Sequence, residues 1–186
     1  MNEEDLSKKK RGSMVVREME IDDLADVFHL GEKIFTAREV PNLYRTWDEY
    51  EVVNLFQSDP EFCLVAESDE RIVGFLLGTT IEKSQSAWKY GHLVWLGVEP
   101  ECHRQGIAVR LFKHFRDLML ESGVRMLLTD TEADNLPALH FFREMGFGQP
   151  QQHIYLTLNL SGRHKRLREK KENGRTQPRR PNKSNG

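Results

Sequence analysis

The residues best placed for chemistry follow a run of apolar residues. Residues 93–98 read Leu-Val-Trp-Leu-Gly-Val, and residues 103–108 read His-Arg-Gln-Gly-Ile-Ala. Gly106 and Ala108 put little side chain at the start of the helix that the following residues predict. Because the first N–H groups of a helix and its dipole attract anions, this loop predicts a diphosphate site. An ordinary strand–turn–helix connection would also use a glycine here, so the loop alone leaves both interpretations open.

A second segment begins at Asn135 and reads Asn-Leu-Pro-Ala-Leu-His-Phe-Phe-Arg-Glu-Met-Gly-Phe. Asp134 or Asn135 suits the cap of a helix, and Pro137 suits its first turn, where a missing N–H costs least. Gly146 then predicts the end of that helix. The segment therefore predicts a short helix that begins at a polar side chain.

The elements that must hold these segments follow from apolar periodicity. Gly74 and Gly78, inside a predicted strand, indicate a bulge or a close approach of two backbones. Helices are expected at 24–35, 46–56, 109–122 and 137–145, and strands at 14–19, 62–67, 71–80, 88–98, 125–131 and 153–160. This order predicts an α/β (α+β) fold with a mixed sheet flanked by helices.

Length and composition favour one domain with charged tails. The 186 residues suffice for one core, and residues 1–13 and 161–186 are expected to be disordered. No apolar run approaches the ~20 residues of a membrane span. The polar N-terminus predicts no secretory signal. Cys63 and Cys102, which lack metal-site spacing, favour free thiols in a reducing compartment. We therefore expect a soluble cytoplasmic protein without a metal or a membrane partner.

Charge is distributed unevenly along the chain. Residues 14–160 contain 13 basic and 24 acidic side chains, whereas residues 161–186 contain ten basic and two acidic ones. An acidic body attracts cations and repels nucleic acid. The domain is therefore expected to act on a cationic partner, and nucleic acid is not expected to bind it.

Both segments resemble those of the GNAT superfamily of acyl-CoA N-acyltransferases, over residues 14–160. The first is similar to the family's apolar strand followed by Gln/Arg-x-x-Gly-x-Gly/Ala, and the second to Asn-x-x-Ala-x-x-Phe-Tyr-x-x-x-Gly-Phe. The resemblance implies a mostly antiparallel sheet in which two parallel central strands, 88–98 and 125–131, splay apart. The pattern is also similar to enzymes that acetylate protein N-termini, including the ribosomal-protein alanine type.

The resemblance implies acetyl-CoA as the acyl donor. Backbone N–H groups of residues 104–109 would bind the diphosphate, and the edge of residues 96–98 would pair with pantetheine. The Val98 N–H would donate to the thioester carbonyl, and Asn135 would hold pantetheine. Phe142 would line the thiol end. The residues so assigned are Leu96, Gly97, Val98, His103, Arg104, Gln105, Gly106, Ile107, Ala108, Val109, Asn135, Ala138 and Phe142.

Two residues depart from the family pattern. His103 replaces the usual Gln or Arg, so its phosphate contact would depend on pH. Phe142 replaces the Tyr that protonates the departing thiolate in many members. Tyr155 or a water could take that role, and a thiol with a pKa of about 8.5 also leaves without full protonation.

The base that deprotonates the acceptor amine has several candidates. Asp130 lies at a position that carries a catalytic Glu in the ribosomal-protein type, but it is one methylene shorter, so a relaying water is expected. His92 and Tyr90, on the preceding strand, are the alternatives. Each of the three also suits a purely structural or solvated position.

Two functions remain open from the sequence. The first is acetyl transfer from acetyl-CoA to a primary amine of a protein N-terminus, a lysine or a small cationic compound, by direct attack in a ternary complex. The second is a non-catalytic module that holds an acyl-CoA. A monomer or a homodimer is expected in either case.

Overall fold

A computed structural model describes residues 14–35, 47–82, 88–152, 154 and 156. The chain divides into two units, Met1–Gly148 and Gln149–Gly186. The expectations for both tails and for Tyr155 lie outside the described residues. So does most of the predicted strand 153–160, of which Ile154 and Leu156 are described as exposed and outside any strand. The domain limits at 14 and 160 therefore stay predictions.

Five strands form one sheet in the described part of the first unit, in the order β1-β2-β3-β4-β5. The pairs β1–β2, β2–β3 and β3–β4 are antiparallel, and β4–β5 is parallel. The strands are β1 (Val15–Glu18), β2 (Cys63–Ser68), β3 (Arg71–Glu82), β4 (Lys89–Val98) and β5 (Met126–Leu128). This topology confirms the mixed, mostly antiparallel sheet.

Four helices of the described residues cover the two faces of the sheet: α1 (Leu24–Ile34), α2 (Glu49–Ser58), α3 (Ile107–Glu121) and α4 (Leu136–Glu144). On one face, Val27 of α1 and Val52 of α2 are buried against the sheet. On the other face, Leu111 and Phe115 of α3 are fully buried, with Phe141 of α4 packed alongside. The helices α1, α2 and α3 thus each bury one apolar stripe, as their periodicity predicted, whereas α4 packs through half-buried side chains.

An ion-pair network joins the first strand to the first helix. The Arg17 guanidinium donates to both oxygens of Asp23, at 2.6 and 2.9 Å, and also bonds Glu67 on β2. These bonds lower the pKa of the Asp23 carboxyl, although burial opposes the shift. Asp23 therefore fixes the entry of the chain into α1.

A β-bulge interrupts the pairing of β3 with β4. Leu77 pairs with Trp95 and Gly78 with Leu93, so Val94 is an extra residue on β4. A side chain on Gly78 would lie 2.3 Å from the Phe115 ring. The bulge predicted for Gly78 is therefore confirmed, and the element that approaches this glycine most closely is the Phe115 side chain. Side chains two residues apart in a regular strand lie on the same face of the sheet. The extra residue breaks this rule in β4, because Leu93 packs on the α3 side whereas Trp95 packs on the α1 side.

Candidate active site

The parallel strands β4 and β5 separate after three residue pairs. Tyr90 pairs with Met126, Gly91 with Leu127 and His92 with Leu128. Beyond His92, no strand among the described residues pairs with this edge of β4. The expected strand 125–131 is thus shorter than predicted, because the polar residues from Thr129 onward leave the sheet. The gap between the strands is the splay that the family resemblance implied.

The backbone of β4 turns its polar groups into this gap. Glu99 donates its N–H to Val73 of β3 at 2.9 Å, so residue 99 faces β3. Since amide groups alternate along an extended strand, the N–H and C=O of Leu96 and Val98 face the opposite edge. Donors and acceptors therefore line the gap at the two positions expected to pair with pantetheine.

The loop after β4 leaves the start of α3 uncovered. Arg104 and Gly106 have positive φ angles of 62° and 76°, which turn the chain sharply into the helix. Gly106 is the N-cap residue of α3, and as a glycine it places no side chain over the first turn. A Cβ added at this position would meet no atom within 4 Å. The N–H groups of residues 107–109 precede the first intrahelical bond, from the Arg110 N–H to the Gly106 oxygen. This geometry suits an anion such as a diphosphate.

His103 forms a hydrogen bond with the strand that precedes it. Its Nε2 lies 3.0 Å from the Val98 carbonyl oxygen, and because a carbonyl only accepts, Nε2 carries the proton. The imidazole thus bonds an acceptor at the edge of the gap. The predicted phosphate contact of His103 stays untested.

Asn135 caps α4, as its position predicted. Its Oδ1 accepts the Ala138 N–H at 3.2 Å. A contact between Asn135 and pantetheine would therefore use the NH2 group. Phe142, half-buried on the same helix, lies 5.4 Å from Phe147 and 5.3 Å from Phe141, measured between ring centroids. This aromatic cluster fixes the orientation of α4 beside α3.

The structure brings together two of the candidate bases. His92 Nε2 lies 3.2 Å from Asp130 Oδ1, and their side chains are 25% and 49% exposed. His92 is the last residue of β4 that pairs with β5, so the contact lies where the strands separate. Tyr90 is half-buried two residues earlier, and its ring stacks on Trp88 at 6.5 Å. A histidine held by a carboxylate can accept a proton and share the resulting charge.

Sequence reasoning missed Glu99, which anchors the end of β4. Glu99 is only 6% exposed, and Lys33 of α1 donates a hydrogen bond to its carboxylate. The bond raises the pKa of the Lys33 ammonium. A charged residue between apolar Val98 and Pro100 was the one signal available from the sequence. The ion pair thus joins the residue that follows β4 to α1.

Among the described residues, no group of three or more His, Cys, Asp or Glu side chains has the arrangement of a metal site. None of the helices in that part of the chain combines the length and the apolarity needed to cross a bilayer.

Comparison with known proteins places these features in a family. The model of the acetyltransferase (GNAT) family matches residues 24–147. The N-alpha-acetyltransferase 30 of Schizosaccharomyces pombe is 30% identical over 95 residues, which are 47% of this chain and 58% of that protein. The chain thus spans less than two thirds of this relative.

Solved structures support the same fold. A NatC complex bound to Gag peptide and CoA superimposes with a TM-score of 0.62 at 20% identity, over 74% of this chain and 86% of that one. An aminoglycoside acetyltransferase from an uncultured soil metagenomic sample, in complex with trehalose, gives 0.63 at 22% identity, over 78% and 97%.

Proposed function

The chain belongs to the acetyltransferase (GNAT) family, and we propose that it transfers an acetyl group from acetyl-CoA to a primary amine. The observation that carries the proposal is the gap between β4 and β5, which lies beside an uncovered helix start. To bind acetyl-CoA, a protein needs hydrogen-bonding groups along the extended pantetheine arm and N–H donors at the diphosphate. Both are present within one strand–loop–helix segment, residues 93–109.

The donor would lie with its diphosphate at the start of α3 and its pantetheine along Leu96 and Val98. In that position the Val98 N–H, which faces the gap, would donate to the thioester oxygen and stabilise the charge that develops there. Asn135 would donate its NH2 group to the pantetheine arm. Phe142 would contribute an apolar wall but no proton.

The acceptor would lose its proton at the mouth of the gap. An amine attacks a thioester only in its neutral form, although N-terminal amines have a pKa near 8 and lysines a higher one. We assign the proton acceptor to His92, directly or through a water, and assign Asp130 to hold the imidazole and balance its charge. The attacking nitrogen would then form the amide while the thiolate of CoA leaves.

A cationic acceptor fits the charge of the chain, because residues 14–160 are acidic. A protein N-terminus is the acceptor we propose first, since the relative from Schizosaccharomyces pombe is named an N-alpha-acetyltransferase. Lysine side chains and small cationic amines are the other members of the same class. The reducing, cytoplasmic setting is part of this proposal, and both cysteines are free thiols.

One observation favours a second function, the binding of an acyl-CoA without turnover. Phe142 has no hydroxyl group to protonate a thiolate. In that case the donor site would be kept while the acceptor chemistry would be lost.

Radiolabelled acetyl-CoA separates these functions when it is incubated with the full chain and a panel of acceptors. The panel holds peptides with a free N-terminus, the same peptides with that N-terminus blocked, a lysine-containing blocked peptide and an aminoglycoside. We expect label on the free peptides first. Binding of CoA by calorimetry without labelling of any acceptor would favour the module instead, and absence of CoA binding would contradict both.

A further inference from the structure

A groove of about 410 Å³ lies between β1 and α3, lined by Met14, Val15, Val16, Arg110, Lys113, His114 and Asp117. We propose that this groove binds an extended acidic peptide, which adds to the sheet beside β1. None of these residues belongs to the proposed acetyl-CoA site. The inference therefore concerns a second surface, and it does not depend on the acetyl transfer.

The edge of β1 offers backbone hydrogen bonds to such a peptide. β1 is the first strand in the order of the sheet, and no strand among the described residues pairs with its outer edge. Met19 donates its N–H to Cys63 at 2.8 Å, so residues 19, 17 and 15 face β2. By alternation, the N–H and the C=O of Val16 face outward. An added strand can pair with both groups.

The flank of the groove supplies positive charge. Arg110 bonds the Met14 carbonyl at 2.9 Å, which fixes its guanidinium at the start of β1. Lys113 and His114 follow on the same exposed face of α3. Residues three or four apart on a helix lie about 5–6 Å from each other, close to the ~6.8 Å between alternate residues of a strand. Acidic side chains at alternate positions of a peptide would therefore meet successive cations.

Other charges near the groove define the limits of this match. Asp117 lines its far end and would repel an acidic side chain there. Arg17, on the opposite face of β1, is already paired with Asp23 and Glu67. The acidic positions of the peptide are thus expected near Met14 and Lys113.

A peptide fits the groove better than other anionic or strand-forming partners. Val16 presents an acceptor as well as a donor, whereas a phosphate backbone supplies acceptors and would leave the carbonyl unmatched. A second copy of this chain paired through β1 would place two basic α3 faces beside each other. An acidic strand satisfies both the backbone and the charge.

Fluorescence anisotropy with a labelled peptide of alternating valine and glutamate tests this inference on the full chain. We expect binding that weakens as salt rises, and at least about tenfold weaker binding by the matched valine–glutamine peptide. Lys113→Glu should weaken binding of the acidic peptide by about tenfold. Arg125→Glu, an equal charge change outside the groove, should leave it unaltered.

Two variants of Val16 test the backbone contact. Val16→Pro removes the outward N–H without loss of a bond to β2, and Val16→Ala removes similar packing but keeps the N–H. Only the proline variant should lose the peptide. Equal loss in both variants, equal binding of the two peptides, or tighter binding of a short oligonucleotide would overturn the inference. So would a fall in acetyl-CoA affinity with Lys113→Glu, because the groove would then belong to the donor site.

Discussion

The two ends of β4 have a similar pattern of burial but different partners. Residues 90–92 pair with β3 on one side and β5 on the other, whereas residues 95–98 pair with β3 alone. Buried and half-buried residues alternate along both ends, so packing does not distinguish them. The difference lies at the edge, where a neighbouring strand stops at Leu128. An unpaired backbone edge inside a folded sheet, rather than a special side chain, makes the second end suitable for a ligand.

Gly106→Glu would disable the proposed acetyl-CoA site beside the open end of β4, which is the end at residues 95–98 that lacks a second neighbouring strand among the described residues. We expect loss of acetyl-CoA binding, because the new carboxylate would lie against the diphosphate. The fold should survive, since no atom lies within 4 Å of a Cβ at Gly106 and the positive φ costs only about 1–2 kcal/mol. Calorimetry with CoA measures the loss, and Gly106→Gln reports the strain without the charge. Unchanged affinity in the Glu variant would remove this loop from the site.

His92→Ala tests the junction between the two ends. We expect kcat to fall by about 10²–10³-fold, a typical loss for a general base, with little change in acetyl-CoA affinity. Asp130→Asn should cause a smaller fall, because the imidazole remains. His29→Ala, an exposed histidine of α1, serves as the control. If the His92→Ala variant kept the rate of the unmodified chain, the general base would have to be another residue.

Gly78→Ala would strain the sheet at the bulge, which adjoins the closed end of β4, where residues 90–92 pair with strands on both sides. The added methyl would lie 2.3 Å from the Phe115 ring, so the ring or the strand must move. We expect a loss of about 1–3 kcal/mol in the free energy of unfolding. Chemical denaturation measures it, with Gly148→Ala as a control because no atom crowds that position. An unaltered midpoint would mean that Phe115 repacks freely.

Asn135→Ser separates two roles of one side chain near the open end. Serine keeps a cap for α4, so the stability should change little, whereas the NH2 group is lost and CoA affinity should fall by about tenfold. Asn135→Ala should lose about 1 kcal/mol of stability as well. Thermal melts and CoA titrations on the same samples distinguish the roles. Equal CoA affinity in the original chain and the serine variant would leave Asn135 as a cap alone.

Acid titration of Asp23 probes a region remote from both ends of β4. Arg17 lowers the pKa of Asp23 below its ordinary 3.8, so the stabilising pair is present above that pH and is lost as the pH falls through the lowered pKa. The unmodified chain should exceed Asp23→Asn by about 1 kcal/mol in the free energy of unfolding at neutral pH. The two should converge in acid, as measured by urea unfolding across the pH range. A constant difference would exclude Asp23 as the titrating group.

Local sequence patterns predicted the loop at Gly106 and the cap at Asn135, because each depends on residues adjacent in the chain. The contact between His92 and Asp130 joins residues 38 apart, and no periodicity reports such a pairing. The bulge at Val94 falls within a continuous apolar run, so no alternation was available to show the change of face. The hydrogen bond between His103 and Val98 depends on how the loop folds back on β4, which no motif reports. Short-range conformation was therefore readable, whereas register and side-chain direction required the tertiary structure.

The extra residue in β4 also bears on how such a site could be gained or lost over generations. Without Val94, Leu93 and Trp95 would be adjacent residues on opposite faces, as in a regular strand, and could keep their pairing with Gly78 and Leu77. Loss of the Val94 codon would thus leave the Leu96 and Val98 donors turned toward the gap, whereas loss of one codon beyond the bulge, between Trp95 and Val98, would turn them toward β3. Among descendants of this sequence, length between Trp95 and Val98 is expected to vary less than residue identity, and the bulge residue itself can be lost.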